Sequence, residues 1–146
     1  IRKKTWQIRF VKNKELSPYS CGECDHPAVE KPEIWIKKCL SIDDLIDTTI
    51  HETIHAVLPY LDEEEVERGS TFAAKSLLKK INKKKLSLND DCLFYFIKYS
   101  IFKSLCDAYS YLMGKEIDYA SEIVAKVLVK SGLRHSLSKY YQDDDI

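Results

Sequence analysis

Two periodicities divide the chain. From Thr5 to Val11, Trp6, Ile8 and Phe10 alternate with Gln7 and Arg9, the period-two pattern of a half-buried strand. Glu33 to Lys37 repeats it, with Ile34 and Ile36 set against Trp35. Between them, Cys21 to Pro27 reads as a short third strand or a turn, and Asn13 to Ser20 as a loop. From Ser41 the period lengthens. Ser41, followed by Asp43 and Asp44, is a helix start, and Ile46, Ile50, Ile54, Val57 and Leu61 recur at helical spacing until Pro59 breaks the helix.

Helical spacing then continues to the end. Glu63 to Lys80 places Val66, Ser70, Ala73 or Ala74, Leu77 and Ile81 on one face. Gly69 sits mid-helix, where glycine costs about 1 kcal/mol against alanine. A close approach to the preceding helix is the expected reason. Asn89 to Met113, with Gly114 as its stop, aligns Phe94, Ile97, Ile101, Leu105, Ala108 and Leu112. Its tyrosines (Tyr95, Tyr99, Tyr109, Tyr111) suit either a groove or a core and its rim. Lys115 to Ser131 is a fourth helix closed by Gly132, Leu133 to Tyr141 a short fifth, and Gln142 to Ile146 a loose tail. The predicted fold class is α+β, with a small N-terminal sheet followed by helices. Residues 1–86 form the core and 87–146 a helical extension packed on it, within one domain.

Composition narrows the function. The 45% hydrophobic and 32% charged content of the 146 residues is that of a globular protein. Twenty-three basic residues balance twenty-three acidic ones, which argues against a nucleic-acid partner. Lys79, Lys80, Lys83, Lys84 and Lys85 cluster without an interleaved aromatic and read as cations at a helix C-terminus. The apolar run Cys92 to Met113 contains Lys98, Lys103 and Asp107. Central charges cost about 2.5 to 3.5 kcal/mol each on insertion, so no membrane span is expected. Five cysteines, an odd number, fit a reducing compartment, and no signal-like segment opens the sequence. A cytoplasmic protein of a bacterial or phage-infected cell is the expectation.

The chemistry concentrates at His51-Glu52-Thr53-Ile54-His55. On a helix this spacing puts two imidazoles one turn apart on one face, where both can bind one zinc ion, with Glu52 as general base for an activated water. Asp47, one turn before His51, suits either an acceptor orienting that imidazole or a solvated carboxylate. A third ligand is sought among Glu63, Glu64, Glu65 and Glu67. Glu63 and Glu67 share the inner face with Val66 and Ser70, and a simple hairpin about Tyr60 puts Glu67 nearest the histidines. Cys21 and Cys24, with His26 nearby, have the spacing of half a zinc site, but a turn with buried cysteines is the default.

Strands, a His-Glu-x-x-His helix and a second packed helix resemble a minimal zincin metallopeptidase core. More narrowly, Trp6 to Ile81 resembles small uncharacterised metallopeptidase-like proteins of phages and bacteria. Trp6, Ile8, Arg9 and Phe10 carry the likeness in the first strand, then Gly22, Cys24, Asp25, Pro27, Ile34 and Ile36. In the helices it rests on Asp47, Ile50, His51, Glu52, His55, Ala56, Asp62, Glu63, Glu64 and Val66. Leu61 stands where a metzincin has its third histidine, no Asn-Glu-x-x-Ser-Asp run follows, and His135 lies far downstream. The resemblance implies a two-histidine, one-glutamate site. The related proteins keep a carboxylate at Glu63 and Glu64 and vary at Glu67, which favours Glu63 with Glu67 as alternate. It further implies a zinc metallopeptidase acting on peptide or protein substrates. The competing expectation is a non-catalytic zincin-like interaction module, such as a phage accessory or anti-host protein.

Overall fold

The alternating segments pair into one three-stranded sheet in the order β1-β3-β2: β1 (Gln7–Val11), β2 (Gly22–Cys24) and β3 (Glu33–Lys37). β1 runs parallel to β3, with Ile8 opposite Ile34 and Phe10 opposite Ile36. β2 runs antiparallel, with Gly22 opposite Ile36 and Cys24 opposite Ile34, so the last three residues of the Cys-Gly-Glu-Cys segment are a strand. Ile34 and Ile36 are fully buried while Trp35 between them is half-buried, as period-two alternation requires. The computed structural model describes residues 6–12, 20–38, 40–84, 90–112 and 114–132. The helix expected over Leu133 to Tyr141 and the tail after it lie outside the described residues.

Four helices follow: α1 (Ile42–Val57), α2 (Glu63–Lys84), α3 (Asp90–Ala108) and α4 (Gly114–Lys130). α1 begins where the Ser41 side chain accepts the Asp44 N–H at 3.2 Å. It ends before Pro59, with the Leu58 N–H donating to the Ile54 carbonyl at 2.7 Å. Ile46, Ile50 and Ile54 are fully buried on its inner face. α1 packs against β2, β3, α2 and α4, while α3 lies against α2 and α4. One continuous core therefore runs from Ile34 in the sheet to Leu128 in α4. Among the described residues, no helix is long and apolar enough to cross a membrane.

Two expectations about the helices change. The third helix stops at Ala108, and Gly114 opens α4 instead of closing α3. The chain leaves the helix there to turn the Tyr109 phenol onto α2, where it donates to the Glu65 carbonyl at 2.7 Å, and Tyr111 bonds the Glu65 carboxylate. Gly69 does have a packing reason, but its neighbour is not α1. A Cβ there would overlap the Tyr109 phenol, whose Cε2 lies 2.8 Å from the added atom. Of the tyrosines, Tyr109 is fully buried, while Tyr95, Tyr99 and Tyr111 are exposed.

Candidate metal centre

A different face of α1 from its isoleucines carries His51 and His55, and it looks into an open cavity of about 1000 Å³. Residues 58–62 turn the chain back, and Glu63 is the first residue of α2. Asp62 caps that helix by accepting the Glu65 N–H at 2.8 Å. From this position Glu63 reaches both imidazoles: Oε1 lies 2.9 Å from Nε2 of His51, and Oε2 lies 2.8 Å from Nε2 of His55. The two Nε2 atoms are 3.2 Å apart, and the rings meet edge to face with centroids at 4.8 Å.

This group could hold a metal ion, and its chemistry fits one. Two imidazole nitrogens and a carboxylate are a hydrolytic zinc donor set that leaves a coordination position open. Donors bound to a tetrahedral zinc stand about 3.3 Å from one another. The 3.2 Å between the histidine nitrogens is close to that spacing, and the histidine–glutamate separations are somewhat shorter. Among the described residues, His51, His55 and Glu63 are the group of three or more His, Cys, Asp or Glu donors that converge.

Glu67 lines the same cavity but does not join the donors. The hairpin estimate that favoured it compared backbone levels, whereas the long Glu63 side chain reaches back across the turn. Asp47 also lines the cavity, and no hydrogen bond joins it to His51. Glu65 faces the C-terminal half, through Tyr111. Cys21 is exposed, and the His26 Nδ1 accepts the Ala28 N–H at 3.0 Å. Cys21, Cys24 and His26 form no donor group among the described residues.

Glu52 follows His51 in the chain and lies beside the donors, 8% exposed. Burial is the main cause that pushes its carboxyl up to about 7; Glu63 and Glu23 add to the rise, and a hydrogen bond from Cys24 opposes it. The Cys24 thiol is pushed up to about 12 by burial and then by the Glu52 charge, so it faces Glu52 as a neutral donor. β2 can press this closely on α1 because residue 22 is glycine. A Cβ there would sit 2.7 Å from Thr48 Cγ2 and 3.1 Å from Glu52 Cγ. The β2 wall, with Glu23, Cys24 and Asp25, is the part of the site that sequence reasoning did not assign. Its available signal was two carboxylates, Glu23 and Asp25, closely following a glycine in a segment able to form a strand.

Compared with known proteins, the chain matches no family model, no curated protein and no solved structure.

Proposed function

We propose that the protein is a zinc-dependent hydrolase of the zincin type, a peptidase in which Glu52 serves as general base. The observation that carries this reading is the convergence of His51, His55 and Glu63 on one point, with the buried Glu52 carboxylate at the edge of the same cavity. A purely structural site has no use for an additional carboxylate there. When bound, zinc supplies a Lewis acid and lowers the pKa of its water to about 7. Glu52 takes the proton from the attacking water and delivers it to the leaving amine. A cation beside it favours the ionised carboxylate this role needs. β2 is a terminal strand of the sheet, and its residues line the cavity. As a terminal strand it offers a main-chain edge that can hold an extended peptide across the histidines.

Glu52→Gln is the deciding experiment. The variant is expected to keep wild-type zinc content, since Glu52 is not among the converging donors. It is expected to lose peptide hydrolysis by about 10²- to 10⁴-fold, the usual cost of removing a positioned base. Equal cleavage by the two proteins, or no cleavage by zinc-loaded wild type in a broad proteome digest, overturns the proposal.

A further inference from the structure

The charge around the cavity is one-sided, although the chain as a whole is neutral. Glu23 and Asp25 line it from β2 and the loop after it, Asp44 and Asp47 from α1, and Glu67 from α2. Its lining includes no lysine or arginine among the described residues. A bound dication offsets Glu52 and Glu63, and five carboxylates then remain on two facing walls. Two of the five also have local work. Asp25 Oδ2 accepts the Glu33 N–H, and Asp44 stands in the first turn of α1, where negative charge is favourable. Glu23, Asp47 and Glu67 form no ion pair with any described residue.

This is more than an acidic surface, because its floor is the donor group with the buried Glu52 beside it. The donor group and these carboxylates line the same cavity, so a segment that presents a bond to His51 and His55 lies among them. A concave site lined by one sign of charge raises the local concentration of the opposite sign and suppresses like-charged partners. Resting on the hydrolase reading, we infer that the cavity selects a cationic segment: a peptide with lysine or arginine side chains flanking the bond presented to the histidines. The β2 wall takes side chains on one side of that bond, and the α1–α2 wall takes those on the other.

The test is binding to zinc-loaded Glu52→Gln protein, which cannot turn over. Three fluorescent peptides share one backbone and carry Lys, Ala or Glu at the flanking positions. Exposed ion pairs are worth about 0.2–1 kcal/mol each, so the Lys peptide is expected to bind about tenfold more tightly than the Ala peptide at low salt. The Glu peptide is expected to bind more weakly still, and high salt to shrink all the differences. Adding Glu23→Gln and Glu67→Gln, two exposed positions outside the donor group, is expected to abolish most of the preference without changing zinc content. Equal affinity for the Lys and Glu peptides, no binding of any peptide, or a preference that survives neutralisation overturns the inference. Cleavage by wild type without charge preference also overturns it and leaves the hydrolase reading standing. Charge-selective binding with no cleavage by wild type does the opposite.

Discussion

Replacing a helical glycine by alanine normally stabilises a protein by about 1 kcal/mol. Gly69→Ala is expected to do the reverse. The new methyl group would occupy space now filled by the Tyr109 phenol, which is fully buried and donates to the Glu65 carbonyl at 2.7 Å. Burial pushes that phenol up to about 12, so it is a neutral donor near neutral pH. If the ring withdraws, a buried carbonyl and hydroxyl lose their partners at about 1–3 kcal/mol each. If the ring stays, α2 and the α3–α4 connection must part, and such overpacking costs about 1–3 kcal/mol. After the propensity gain of about 1 kcal/mol, the first route leaves a net loss of about 1–5 kcal/mol and the second about 0–2, so a loss of about 1–2 kcal/mol, or a fall in Tm of roughly 2–8 °C for a chain of this length, is expected. Denaturant unfolding should show a lower midpoint with unchanged slope. Tyr109→Leu removes the obstacle, so adding Gly69→Ala to that variant should be neutral or stabilising, a coupling of about 0.5–3 kcal/mol. The contact also anchors the helix from which Glu63 extends, and Gly69→Ala is expected to weaken zinc binding too. A Gly69→Ala protein as stable as wild type, or strictly additive effects in the double variant, would refute the reasoning.

Two further predictions concern the centre itself. Glu63→Ala should lower zinc affinity strongly while Glu67→Ala leaves it near wild type, measured by competition with a chelating dye; equal losses would mean that the donor set is not the one described. In metal-free protein, a carboxyl raised from 4.5 to about 7 on folding costs stability that is absent below pH 4.5 and fully present above 7. Glu52→Gln should therefore be about 3 kcal/mol more stable than wild type at pH 8, with the gap closing as pH falls below 4.5 and shrinking when zinc is added. Denaturation curves across pH check this, and a pH-independent difference would contradict it.

How far the sequence carried the fold depends on the range of the forces involved. The strands and α1 were legible because their signals are local. Alternation marks Ile34 and Ile36, the Ser41 cap and Pro59 bracket the helix, and i, i+4 spacing puts His51 and His55 on one face. Gly114 was misread because a glycine is compatible with the end of one helix and the start of the next. What decides between them is the tertiary anchoring of Tyr109 and Tyr111 on Glu65, forty-four and forty-six residues away in sequence. Gly69 was misassigned for the same reason, since a small residue announces a close neighbour without saying which. The third donor shows where helix periodicity stops. It put Glu63 and Glu67 on one face, and only the reach of a long side chain from the first residue of α2 separates them. The β2 wall was least visible. Three residues are too few to establish a period, and β2 exists because β3 offers it a partner and residue 22 has no side chain to hold α1 away. The glycine that lets this wall close on Glu52 also brings Glu23 and Asp25 to the cavity. Enlarging residue 22 should thus disturb the Glu52 carboxylate and the charge of the cleft together.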